Sequence, residues 1–89
     1  MRRFGKRVRE LRRARGLTQD QVALRAGISK GYLSGIENGK VNAPAPRAIR
    51  RLAKALGTDV KALLLLAAAE KAPKEIRQEL ERVALDAEA

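Results

Sequence analysis

Two short helical segments joined by a glycine turn constrain the fold of this chain more than any other feature. The first segment begins at Thr18, and Thr18 with Gln21 has the spacing of a capping box. The second begins at Ser29, a residue favoured at helix N-caps. The Gly27–Ile28 turn between them is too short for the helices to lie antiparallel, so they must cross steeply. We therefore expect the second helix to project from the protein surface.

The remainder of the chain also predicts helix, because alanine, leucine, arginine and glutamate dominate it and glycine or proline recurs at short intervals. We expect an all-α fold of five helices with an additional C-terminal helix. Residues 1–66 would form the main domain and residues 67–89 a helical extension. The predicted helices run from Arg2 to Ala14, from Thr18 to Gly27, over about 29–38, from Pro46 to Gly57, from Thr58 onward and from Lys74 to Ala87.

Positive charge is concentrated in the first two thirds of the chain. The net charge is +10, and residues 1–15 carry eight basic side chains against one acidic side chain. Residues 58–89 carry five basic and seven acidic side chains. This distribution favours a surface that meets a polyanion, with a tail that has another role. The alternative is a solvated basic helix face without a partner.

The composition also disfavours several classes of protein. The chain has no cysteine and no histidine, which removes disulfides, the commonest zinc ligands and the usual general base of an enzyme. We therefore expect no catalytic activity, no metal and no cofactor. No apolar run is long enough for a membrane span, and the N-terminus lacks the apolar stretch of a signal peptide. These features predict a cytoplasmic protein.

At many positions, the residue types of the chain resemble, in order and spacing, those of the Cro/repressor-type (Xre-like) helix-turn-helix family of DNA-binding proteins. The resemblance covers about residues 4–66 and is carried by residues 12–19, 23, 26–29, 32–34, 36–40 and 52–57. It implies a repressor-like helix-turn-helix domain. It also implies a sequence-specific transcription regulator, a dimeric repressor that places its third helix in the major groove of double-stranded DNA.

The resemblance assigns the base-facing positions of the third helix to Lys30, Gly31, Ser34 and Gly35. Lys30 can donate to guanine O6 and N7, or it can contact a phosphate instead. Ser34 can donate or accept, so it would discriminate weakly. The two glycines depart from the family pattern, because they remove side chains that could read bases. They would either allow close approach to DNA or leave recognition to DNA shape.

The same resemblance implies phosphate contacts around the third helix and one structural ion pair. Arg12 and Glu37 occupy the positions of a family ion pair that fixes the helix-turn-helix angle. Gln19 lies at the start of the second helix, where an amide suits a phosphate. Gln19 also has a plain surface interpretation, Tyr32 a packing interpretation and Asn38 a turn interpretation. The phosphate candidates are Gln19, Tyr32, Asn38, Lys40, Arg13 and Arg15.

The C-terminal extension carries an apolar stripe that needs a partner. Ile76, Leu80 and Val83 follow one another at helical spacing. The stripe either folds back on its own domain or pairs with a second copy of the chain, and we favour the dimer. Dimers of this motif bind half-sites about 34–36 Å apart.

Two other functions remain open at this point. One is a protein-interaction module, either an antitoxin or a bridging coactivator of the same fold, which the glycines of the third helix and the tail stripe would suit. The other is a sequence-independent nucleic-acid binder, which is favoured by the high positive charge and by the few side chains on the third helix that could recognise bases.

Overall fold

A computed structural model describes residues 3–87, and all regular structure within them is helical. The all-α prediction is confirmed. The predicted start of the first helix at Arg2 lies outside the described residues. The helices are α1 (Arg3–Ala14), α2 (Gln19–Ala26), α3 (Lys30–Glu37), α4 (Pro46–Leu56), α5 (Val60–Lys71) and α6 (Lys74–Asp86).

Local chemistry sets the ends of α2 as the sequence predicts. The Thr18 hydroxyl accepts from the Gln21 backbone N–H at 3.1 Å, and the Gln21 side chain accepts from the Thr18 N–H at 2.9 Å. Gly27 ends the helix at a φ of 69°, a left-handed conformation that glycine adopts without a Cβ penalty. Its N–H and that of Ile28 then bond back to α2, so the chain turns away from the α2 axis before Ser29 caps α3.

The start of α5 corrects the sequence prediction. Thr58 does not open the helix, because its N–H bonds back to Ala53 at 3.0 Å and closes the C-terminus of α4. Asp59 is the N-cap instead, and its carboxylate accepts from the Lys61 N–H at 3.0 Å. A carboxylate at this position also interacts favourably with the helix dipole. From there α5 continues without a break to Lys71, so the predicted boundary between residues 66 and 67 falls inside a helix.

One apolar core joins all six helices. Phe4 and Val8 of α1 are fully buried, as is Leu33 of α3. The helix α2 packs on α3 and α4, while α1 packs on α3, α4 and α5. Within residues 3–87, every helix is too short or too polar to span a bilayer. The other core residues are Val22, Ala23, Ala26, Ile36, Ile49, Leu52, Ala53, Leu56, Leu63, Leu66 and Ala84.

The C-terminal helix α6 folds back on α5, but not through the stripe that the sequence singles out. Ala84 enters the core with no exposed surface. Arg77 donates to the carbonyl oxygens of Ala69 and Ala72 at 3.2 Å and so caps the end of α5. In contrast, Ile76 and Val83 are each 46% exposed. The two alternatives for the tail are therefore compatible, because self-packing leaves most of the stripe on the surface.

Candidate nucleic-acid interface

The inner face of α3 packs in the core, and its outer face is therefore exposed. Leu33 and Ile36 are buried against the other helices. Lys30 and Gly31 are exposed, and Ser34 is half-buried beside them. Three of the four predicted base-facing residues therefore share one accessible side of the helix.

The two glycines of α3 have different surroundings. A Cβ added to Gly31 would meet nothing within 4 Å, so its outer side is open. A Cβ on Gly35 would contact both methyl groups of Val41 at 3.5 Å. Val41 belongs to the loop after α3. Gly35 is thus half-buried, like Ser34, and lies against that loop.

Lys30 is paired within the protein but remains accessible. Its ammonium lies 3.6 Å from the carboxylate of Asp20, and the two side chains are 59% and 72% exposed. Exposed pairs of this kind are worth little, because water screens the attraction. The pair therefore leaves Lys30 available to another acceptor.

A buried carboxylate fixes the end of α3 to α1. Glu37 has no exposed surface, and Arg12 donates hydrogen bonds to both of its carboxylate oxygens. Arg12 Nε donates to Oε2 at 2.8 Å, and Arg12 Nη2 donates to Oε1 at 3.0 Å. The third Arg12 nitrogen, Nη1, donates to the Leu17 carbonyl at 3.0 Å, just before α2. The ion pair expected from the resemblance is thus formed, and it connects α1, α3 and the start of α2.

Two further side chains complete the surroundings of Glu37. Gln19 Nε2 donates to Oε1 at 3.1 Å, and Arg9 Nε lies 3.6 Å from the same oxygen. Burial alone would raise the pKa of Glu37. The hydrogen bonds from Arg12 and Gln19, with the charges of Arg12 and Arg9, outweigh burial and hold this pKa below its ordinary value. The bond to Glu37 correspondingly raises the pKa of Arg12.

Sequence reasoning missed two residues of α1 that hold α3. One is Arg9, which belongs to a run of basic residues in which no sequence feature distinguishes it from its neighbours. The other is Gly5, which is buried at the crossing of the two helices. A Cβ there would overlap the Ile36 carbonyl oxygen and lie 2.9 Å from the carbonyl carbon. A glycine inside an otherwise strong helix was the available signal for this close backbone approach.

The phosphate candidates fall into groups. Lys40 and Arg13 are exposed, and Tyr32 is 38% exposed. Gln19 uses one amide hydrogen on Glu37 and keeps the other for a second acceptor. Arg15 is also exposed, and its guanidinium donates to the Gly57 carbonyl at 2.8 Å. That carbonyl lies at the negative end of α4, where a cation is favoured.

Asn38, also expected at a phosphate, is engaged inside the protein. Its Oδ1 accepts from Arg9 Nη2, and its Nδ2 donates to Ser34 Oγ at 3.3 Å. The side chain remains exposed, so one amide hydrogen is still free to meet another group. Asn38 thus connects a base-facing position of α3 to α1.

Together, the short glycine turn between α2 and α3, the exposed face of α3 and the polar connections that fix α3 to α1 define a helix-turn-helix protein. The sequence model of the helix-turn-helix domain family matches residues 3–66. The chain belongs to this family.

Several regulators resemble the chain. It is 46% identical over 76 residues to the uncharacterized HTH-type transcriptional regulator RghRB of Bacillus subtilis, covering 84% of this chain and 55% of that protein. It is 43% identical to the HTH-type transcriptional repressor RghR of the same organism, covering 68% of this chain and 45% of that protein. The immunity repressor protein of Bacillus phage phi105 is 38% identical over 67% of this chain and 41% of its own length. The chain thus spans about half the length of these relatives. No solved structure matches it significantly.

Proposed function

We propose that this chain is a sequence-specific DNA-binding transcription regulator, a repressor that inserts α3 into the major groove. The observation that carries the proposal is the exposed side of α3, where Lys30, Gly31 and Ser34 face outward from a helix fixed to α1 through Glu37. An α-helix fits the major groove, where each base pair presents a distinct pattern of donors and acceptors. The relatives named as repressors support the same function.

The flanks of α3 suit the phosphate backbone. Lys40 at one end and Arg13 on α1 are exposed cations, and Gln19 offers an amide hydrogen at the N-terminus of α2. Contacts of this kind position a protein on DNA and carry most of its sequence-independent affinity. The excess of basic residues before residue 58 supports the same orientation.

We further propose that the regulator acts as a homodimer in the cytoplasm. Ile76 and Val83 leave an apolar stripe on α6 that self-packing does not cover, and Leu80 lies half-buried between them. A second copy of the same stripe would remove this surface from water. Pairing would also place two α3 helices on two half-sites, since one small module has little interface for tight specific binding.

A titration of the protein against the DNA upstream of its own gene, with a scrambled duplex as control, tests the function. If a protomer neutralises about six phosphates, log K should fall with log salt at a slope near −5, and a dimer should about double it. We expect the upstream duplex to bind more tightly than the scrambled one. Equal affinities would contradict the regulator and favour a sequence-independent binder. No binding at physiological salt would favour the protein-interaction module.

Two single substitutions separate base reading from phosphate binding. We expect Lys30→Ala to reduce the preference for the specific duplex, because it removes a donor to guanine. We expect Gln19→Ala to weaken specific and scrambled duplexes by the same factor, because a phosphate contact carries no sequence information. Fluorescence anisotropy with both duplexes measures both factors. Identical behaviour of the two variants would contradict these roles.

A further inference from the structure

A chain of three polar side chains leads from α1 to the exposed face of α3. Arg9 Nη2 donates to Asn38 Oδ1, and Asn38 Nδ2 donates to Ser34 Oγ at 3.3 Å. Arg9 is itself held by the buried Glu37, since its Nε lies 3.6 Å from Oε1. Arg9 is only 24% exposed in its side chain, so the first member of the chain is partly withdrawn from solvent. We call these three side chains the Arg9–Asn38–Ser34 relay.

The chemistry of the first member fixes the direction of every hydrogen bond in the relay. A guanidinium has only donors, so the end of the Asn38 amide that faces Arg9 must be the oxygen. The end that faces Ser34 is then the NH₂ group, which also can only donate. Ser34 Oγ must therefore accept this bond. Its hydroxyl hydrogen is left to donate to a group outside the protein.

We propose that Ser34 acts on DNA as a hydrogen-bond donor, and that Arg9 and Asn38 are positioning residues that favour this role. The proposal rests on the proposed function and adds the kind of base edge selected. In the major groove guanine presents only acceptors, N7 and O6, at the edge where cytosine presents the N4 donor. At the base pair under Ser34, the relay favours guanine over cytosine on the strand that Ser34 faces.

The relay also explains why a serine can discriminate at this position. A free hydroxyl rotates and serves donors and acceptors alike, so it carries little sequence preference. Here Asn38 occupies one of the two acceptor sites of the hydroxyl, and it cannot accept from the hydroxyl because the guanidinium prevents the amide from turning over. The hydroxyl hydrogen is therefore unused inside the protein while only one lone pair is left, which shifts the balance toward donation. The relay starts at α1, outside the helix that enters the groove, so the preference depends on a residue that need not touch DNA.

The substitution Asn38→Asp tests the relay because it reverses the last hydrogen bond. An aspartate at residue 38 still accepts from Arg9, but it cannot donate to Ser34. The hydroxyl then donates to the carboxylate and turns a lone pair toward the groove, which suits the cytosine N4 donor. Selection from a library of duplexes with a randomised centre measures the base preference. We expect about fivefold enrichment of guanine over cytosine with the wild type, the factor of one neutral hydrogen bond, and a reversed preference with the variant.

The variant Ser34→Ala and the double variant of both positions are the matched controls. Ser34→Ala should lose the preference at that base pair, and Asn38→Asp added to it should change nothing further there. Thermal unfolding of each variant verifies folding, and base ratios within one selection cancel any general loss of affinity caused by the new negative charge. An unchanged guanine preference in Asn38→Asp, with enrichment by the wild type intact, overturns the relay alone. No enrichment by the wild type overturns the relay and the proposed function together.

Discussion

Replacing Gly5 with alanine will destabilise the protein by about 3 kcal/mol, the upper end of the usual cost of overpacking a core. The added methyl group would overlap the Ile36 carbonyl oxygen and lie 3.3 Å from Glu37 Cα. Both obstacles are backbone atoms of α3, so no side-chain rotation relieves them. The helix α1 must move away from α3, and that movement also stretches the bonds between Arg12 and Glu37. Since 1 kcal/mol shifts Tm by about 4–8 °C in a domain of this size, we expect a fall of roughly 12–24 °C.

The same substitution at Gly31 is the matched control. A Cβ at residue 31 would meet nothing within 4 Å, so only helix propensity changes there, by at most about 1 kcal/mol in favour of alanine. Circular dichroism during heating and in urea measures both variants. Opposite signs of the two Tm shifts are expected. A Gly5→Ala protein as stable as the wild type would contradict the close backbone approach of α1 and α3 at Gly5.

Local rules predict the turn and the caps because those features depend on residues close in sequence. The capping box needs only Thr18 and Gln21, and the left-handed end of α2 needs only Gly27. The stripe of α3 that faces the core also follows from helical spacing. Local rules also explain why the predicted start of α5 is wrong by only one residue, since Thr58 and Asp59 are both good N-caps. Asp59 is the N-cap because the Thr58 N–H already bonds to Ala53 at the C-terminus of α4.

Contacts between distant segments could not be derived in this way. Gly5 and Ile36 meet only because α1 crosses α3, and an arginine at residue 9 gains its role only from that crossing. The family resemblance predicts the ion pair of Arg12 and Glu37, but it does not predict that Arg9 also lies beside Glu37. Likewise, Ala84 enters the core because of how α6 returns on α5, although the longer apolar residues of α6 predicted another face.

The substitution Glu37→Gln will cost about 3–5 kcal/mol at pH 7, although it changes neither shape nor volume. It leaves the Arg12 guanidinium partly buried without its counter-charge, and removing one partner of a buried pair carries a cost of this size. The new amide nitrogen would also face donors, because Arg12, Arg9 and Gln19 all point hydrogens at this carboxylate. Glu10→Gln is the control. Glu10 pairs with Arg7 on the same helix α1 at 3.6 Å, but it is 52% exposed, so its loss should cost about 0.5 kcal/mol or less.

The pH dependence separates the charge of Glu37 from its packing. The native pKa of Glu37 lies below its ordinary value, so its carboxylate stabilises the fold fully above the unfolded pKa of about 4.3. This stability is lost as the pH falls from there through the lower native pKa, because the proton then binds in both states. Glu37→Gln has no proton to bind at this position. Urea titrations from pH 7 to pH 2 should therefore show the gap between the two proteins narrowing below about pH 4.3. A gap that stays constant over this range would assign the effect of the substitution to hydrogen-bond geometry alone.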